Sequence, residues 1–143
     1  MHFPKIQRAL DSGLFVPAMC ELPTPPKEDE VRRLQEAFGG RLTSDHVCLL
    51  LEWGGANLDE IRIAGIEGVR FTDDRVVFAD DSNGFVFHYD RSGAVFSEDT
   101  DGGKISRLAD SLREFVDDVF LGPKSAEFYG EEWLDELRNH QIA

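Results

Sequence analysis

A chain of 143 residues with 41% hydrophobic and 30% charged side chains has the composition of one soluble globular domain, so we expect a single domain over 1–143. Its net charge of −13 argues against nucleic-acid binding, since phosphate contacts need a basic patch. No apolar run approaches the roughly 20 residues of a membrane helix, and the charged N-terminal segment does not resemble a signal peptide. The isolated Cys20 and Cys48 predict free thiols and a cytoplasmic protein.

The negative charge is concentrated in the second half of the chain. Residues 1–70 carry 8 basic and 11 acidic side chains, whereas residues 71–143 carry 7 basic and 17 acidic ones. The two balances are therefore −3 and −10. This pattern fits either an ordinary solvated surface or an acidic face that attracts a basic partner.

Two short helices are predicted first. Apolar residues four positions apart predict a helix over Phe3–Leu14 that closes near Gly13. Four prolines then predict an irregular connector, so residues 1–27 are interpreted as an N-terminal extension with a Pro-rich connector. A second helix is predicted from the acidic residues at 28–30 to Gly39-Gly40.

The third predicted helix begins at Thr43, Ser44 or Asp45, each of which can cap it, and runs into the segment LLLEWGGANL at 49–58. Trp53 supplies buried volume near its end. Gly54 and Gly55 predict a helix stop with one glycine in the left-handed conformation. A phosphate-binding loop is disfavoured, because these glycines follow a helix and no lysine of such a loop is present.

Four segments rich in Val, Ile and Phe predict an antiparallel meander, namely EIRIAGIEGVRF, RVVFAD, GFVFHYD and GAVFSED. Asn83-Gly84 predicts a tight hairpin turn, and Asp90–Gly93 a second one. In the strand between these turns, Phe85 and its alternate neighbours are expected to face the core. His88 and its alternate neighbours are expected on an exposed, half-polar face.

Two C-terminal helices complete the predicted order. ISRLADSLREFVDDVFLGP carries an apolar stripe from Leu108 to Phe120, and a further helix follows over residues 122–143, weakened at Gly130. The predicted fold class is therefore α+β, with an antiparallel meander packed against N-terminal and C-terminal helices.

Motifs for catalysis are missing. The chain has no GxxxxGK[ST] loop, GxSxG elbow or HExxH pair, and its four histidines are scattered. The loop at 99–110 has Lys104 where a calcium loop requires Gly. We expect no enzyme activity, no metal site and no cofactor.

Four segments of the chain resemble the SUKH superfamily (the Smi-one/Knr-four family) in their order and spacing. They are EWGGANL after a Leu-rich helix, VVFADDSNGFVFHYD, GAVFSEDT and ISRLADSLREFVDDVF. The resemblance covers Glu28–Leu121. It implies a SUKH-like α+β fold and a protein-binding role; many bacterial members are immunity proteins that neutralise toxins, often nucleases or deaminases.

From that resemblance and the acidic charge we expect direct binding of a basic toxin domain, with no nucleic acid or membrane partner. The predicted contact residues are Asp80, Asp81, His88 and Asp90, with Asp73, Asp74, Glu98, Asp99 and Asp101 as a rim. Trp53, Gly54, Gly55, Asn83 and Gly84 are assigned structural roles. The alternative is a regulatory scaffold that binds cellular proteins through apolar surface without inhibiting a toxin.

Overall fold

The computed structural model describes residues 1–143. The helices are α1 (Pro4–Asp11), α2 (Glu28–Ala37), α3 (Ser44–Trp53), α4 (Leu112–Glu114, continued by a π-helical segment Phe115–Phe120), α5 (Ala126–Tyr129) and α6 (Glu131–Asn139). The strands are β1 (Ile61–Ile63), β2 (Arg70–Thr72), β3 (Arg75–Asp81), β4 (Phe85–Tyr89), β5 (Val95–Asp99) and β6 (Ile105–Ala109). The prediction of an α+β fold with helices on both sides of a meander is confirmed.

The six strands form one antiparallel sheet in the order β1-β3-β4-β5-β6, and β2 pairs with β3 beside β1. The predicted strand segment EIRIAGIEGVRF is therefore two short strands. Both pair with the long strand β3, β1 with its C-terminal half and β2 with its N-terminal half. The intervening residues contain Gly65 and Gly68, which interrupt the strand pattern.

The predicted helix that begins at ISRL is wrong at its start, because Ile105–Ala109 is strand β6 and pairs with β5. The helical segment begins only after Ser111, whose side chain accepts a hydrogen bond from the Glu114 amide at 3.1 Å. Leu108 fits the apolar pattern of either a helix or a strand. Because it continues the apolar stripe of the helix, the predicted helix begins too early.

The predicted single helix in residues 122–143 is divided at Gly130. This residue has a φ of 92°, which a continuous helix does not allow, and α5 and α6 lie on either side of it. The sequence predicts only a weakened helix at this position, because a glycine inside a helix costs about 1 kcal/mol relative to alanine.

The helices cover one face of the sheet and leave the other open. Phe78 and Phe87 on the covered face contact the Phe115 ring with centroid distances of 5.9 and 5.2 Å. One core cluster of 29 buried residues joins the helices to this face. None of the helices combines the length and apolar composition needed to span a bilayer.

The N-terminal extension belongs to this core. Phe3, Ile6 and Phe15 are each at most 2% exposed. Lys5 Nζ donates to the carbonyl oxygens of Asp117 and Leu121 at 2.6 and 3.1 Å, where the π-helical segment ends. A cation at the carbonyl end of a helix is stabilising, so α1 is fastened to the C-terminal half of the chain.

The glycines after α3 allow two chain segments to approach each other closely. Gly55 has a φ of 83°, and a Cβ on Gly65 would lie 3.2 Å from the Gly55 Cα. Its amide donates to the Ile63 carbonyl at 3.1 Å, which directs the chain into β1. A Cβ on Gly54 would lie 2.6 Å from the Leu50 carbonyl oxygen.

Gly54→Val is expected to lower the free energy of unfolding by about 2–3 kcal/mol, since the added side chain would displace either the end of α3 or the connector at Pro26. Chemical denaturation of the purified variant measures the loss. Gly102→Val is the matched control, because its nearest neighbour would be the Asp99 carboxylate at 3.8 Å. Equal stability of the two variants would contradict the close contact at Gly54.

Candidate protein-binding surfaces

The predicted contact residues occupy three separate parts of the sheet. One group lies at the end formed by the β2–β3 and β4–β5 turns: Asp73, Asp74 and Asp90. A second lies at the opposite end, near the β3–β4 and β5–β6 turns: Asp80, Asp81, Asp99 and Asp101. His88 and Glu98 lie between them, on the open face. The nine residues therefore do not form one surface.

At the first end, arginines neutralise the central carboxylate. Arg41 Nη1 and Arg91 Nε each lie 2.8 Å from an oxygen of Asp74. The hydrogen bonds from Arg91 and Arg41 lower the pKa of Asp74 to about 2. Asp90 accepts hydrogen bonds from the amide and hydroxyl of Ser92, which hold the β4–β5 turn and lower the pKa of Asp90. Two arginines therefore stand against three carboxylates at this end.

The opposite end, here called the acidic end, comprises Asp59, Glu60, Asp80, Asp81, Asp99 and Asp101. The two hairpin tips there are joined, because the Thr100 hydroxyl donates to the Gly84 carbonyl at 2.8 Å. Asp81 Oδ1 accepts from the amides of Asn83 and Phe85 at 3.0 Å, which orders the three-residue turn. Of the turn residues 82–84, Gly84 has the positive φ, at 88°.

The acidic end is less compensated by cations than the first end. Arg62 Nε lies 3.1 Å from Asp80 Oδ1, and Lys104 directly precedes β6. Partial burial and the neighbouring charges of Asp59 and Asp81 raise the pKa of Glu60. A recess of about 240 Å³ beside these carboxylates has no apolar side chain in its wall. The carboxylates there repel one another.

His88 differs from the expectation of an exposed contact residue, since it is 2% exposed. Arg75 Nη1 donates to His88 Nδ1 at 3.3 Å, and the opposite ring nitrogen donates to Glu98 Oε1 at 3.2 Å. The Phe96 ring stacks beside it at 6.0 Å. Long side chains of neighbouring strands thus cover the histidine, and this burial lowers the pKa of His88.

The open face carries arginines that the charge count by chain halves does not reveal. Pairing across the strands places Arg70, Val77, His88, Phe96 and Arg107 in one row. The adjacent row contains, by the same pairing, Arg62, Asp80, Val86, Glu98 and Ile105. The sequence contains a signal for these rows, because side chains two positions apart along a strand lie on the same face of the sheet.

A cavity of about 520 Å³ lies elsewhere, between β4–β6 and α5. Its wall includes Phe85, Phe128 and the buried Ser97. No group of three or more His, Cys, Asp or Glu side chains is arranged to hold a metal ion. Both cysteines are free thiols.

The fold and these surfaces define an α+β protein with a sheet that is covered on one face and open on the other. The sequence matches no model of a known protein family and no curated protein. The resemblance to the SUKH superfamily therefore stays a prediction, and so does the function that it implies.

Proposed function

We propose that the chain is a non-enzymatic protein-binding module that neutralises a basic toxin, such as a nuclease or deaminase, by direct stoichiometric binding in the cytoplasm. The observation that carries the proposal is the acidic end, where six carboxylates lie near two cations. This role is the one that the SUKH resemblance implies.

The electrostatics of the acidic end favour a basic partner. The raised pKa of Glu60 reflects repulsion from Asp59 and Asp81 as well as burial. A cationic surface placed against these carboxylates relieves that repulsion and accelerates encounter. An enzyme that acts on nucleic acid presents such a surface to phosphate, so a protein seated there blocks its substrate.

The test pairs the chain with a basic toxin domain encoded beside it in its genome. Co-expression should restore growth, and the purified proteins should form a 1:1 complex by light scattering. The variant Asp59→Asn, Asp81→Asn, Asp99→Asn should weaken the complex about 100-fold, at roughly 1 kcal/mol for each lost charge. Asparagine keeps the turns, because its amide oxygen accepts the same backbone hydrogen bonds and it tolerates the φ of 72° at Asp59.

The matched control removes three charges from the helical surface, with Asp11→Asn, Glu36→Gln and Glu132→Gln. It should change affinity by less than about threefold, because these exposed carboxylates lie on α1, α2 and α6. An equal loss of affinity in both triple variants would mean that only the net charge of the protein matters. That result would contradict specific binding at the acidic end. Full protection by the acidic-end variant would contradict the proposal outright.

Salt concentration separates the toxin inhibitor from the regulatory scaffold. Raising the salt from about 0.05 to 0.5 M should weaken the complex steeply, since the screening length falls below the spacing of exposed charges. A complex whose affinity does not change with salt would indicate binding through apolar surface, and would favour the scaffold.

A further inference from the structure

The open face of the sheet holds one arginine in a fixed position. The Arg75 guanidinium lies over the Phe96 ring, 4.5 Å from its centroid, and Nη1 donates to His88 Nδ1. His88 is itself held, because its other nitrogen donates to Glu98. An arginine ordered in this way loses little conformational entropy on binding a further group.

Arg75 forms no ion pair within the chain, although its charge acts on the carboxylate of Asp90. Its guanidinium has five N–H donors, of which His88 takes one. Arg70 is exposed and also forms no ion pair, although the chain has 28 acidic residues. It lies across from Val77, two positions along β3 from Arg75. Two adjacent arginines that form no ion pair are unusual on so acidic a protein, because nearby carboxylates are abundant.

Apolar side chains lie beside Arg75. Phe96 under its guanidinium is partly exposed, and so is Val86 in the next row of the open face. Arginine and aromatic side chains are enriched among the residues that contribute most to binding at protein interfaces. The open face therefore combines cationic donors with an apolar platform.

The charge pattern selects an acidic protein segment over nucleic acid. Glu98 and Asp80 lie one row away from Arg70 and would repel a continuous phosphate backbone. The net charge of −13 opposes a polyanion in the same way. A peptide places a few carboxylates at chosen positions and covers the apolar residues with its other side chains.

We propose that the open face of the sheet is a docking surface for an acidic protein segment, whose carboxylates pair with Arg75 and Arg70 and whose apolar side chains cover Phe96. Arg70 and Arg75 lie at the end of the sheet opposite the acidic end, so the proposal does not depend on the proposed function.

Fluorescence anisotropy of the full chain tests the docking surface. The probe is a short fluorescein-labelled peptide of mixed Glu, Asp, Leu and Phe, and its matched control has Lys at each acidic position. The acidic peptide should bind, and Arg75→Gln or Arg70→Gln should each weaken it about tenfold through loss of a charge-assisted hydrogen-bonded pair. Arg138→Gln, on the exposed side of α6, should change affinity by less than about twofold.

Several results would overturn the docking surface. They are no binding of the acidic peptide at up to about 1 mM, equal binding of the Lys peptide, equal loss in Arg138→Gln, and preferential binding of labelled oligouridine. Because Arg70 is exposed, its variant tests the surface even where Arg75→Gln disturbs folding. The acidic-end triple variant should bind the peptide at least as well as the unmodified chain, which distinguishes this surface from the toxin-binding one.

Discussion

Phe115→Ala should lower the free energy of unfolding by about 3–5 kcal/mol, a large part of the 5–15 kcal/mol that stabilises a typical domain. Phe115 is 1% exposed and contacts three aromatic rings, those of Phe78, Phe87 and Phe120, at centroid distances of 5.2–6.3 Å. Truncation removes these contacts and leaves a cavity between the sheet and the π-helical segment, which the rigid surroundings cannot fill.

Phe71→Ala is the matched control for this loss. Phe71 is 40% exposed at the β2 edge and packs against the Phe38 ring at 4.4 Å. Its truncation should cost about 1 kcal/mol, because a large part of the side chain already contacts water. Urea denaturation of both variants measures the difference. Losses of similar size would mean that Phe115 is not at the centre of the core.

The local parts of the fold were predictable because local signals determine them. Thr43 was among the candidate caps of α3, and its hydroxyl accepts from the His46 amide at 3.3 Å. Alternation of Phe85, Phe87 and Tyr89 marked the covered face of β4. These features depend on residues within a few positions of each other, so a single sequence contains them.

The features that the sequence did not reveal depend on distant partners. Whether Leu108 belongs to a helix or to β6 is decided by hydrogen bonds to β5. Asp74 is neutralised by Arg41, which lies 33 positions away. A count of charge by chain halves averages over both faces of the sheet, and so it did not separate the acidic end from the arginines on the open face.

His46 should make the stability of the protein fall as the pH drops below about 6.5. The side chain is fully buried on α3, and burial lowers its pKa from 6.5 to about 3. Its Nδ1 accepts a hydrogen bond from the Tyr89 hydroxyl at 2.7 Å, whereas Nε2 has no hydrogen-bond partner. The folded state therefore requires the neutral ring.

The sign of the effect follows from proton binding. Between pH 6.5 and 3 the unfolded chain binds a proton at this histidine and the folded chain does not. The free energy of unfolding therefore falls as the pH is lowered through this window, by at most about 1.4 kcal/mol per pH unit for one group. Burial also lowers the pKa of His88, which contributes with the same sign.

His46→Asn tests this origin, because the asparagine oxygen can accept from the Tyr89 hydroxyl and does not titrate. The measured quantity is the slope of unfolding free energy against pH between 7 and 5, rather than the stability at one pH. The slope should decrease in His46→Asn and decrease further when His88→Asn is added.

Tyr89, the hydrogen-bond partner of His46, should make the stability of the protein fall at high pH as well. Burial raises the pKa of Tyr89 from 10 to about 12. The Tyr89 hydroxyl and the His46 ring that it contacts are therefore both neutral near pH 7. The stabilisation from Tyr89 is complete below pH 10 and is lost as the pH rises towards 12. Since His46→Asn leaves the phenol buried, it should flatten the acid side of the stability profile and preserve the alkaline side. A variant that changed both sides equally would show that the two groups do not titrate separately within the core.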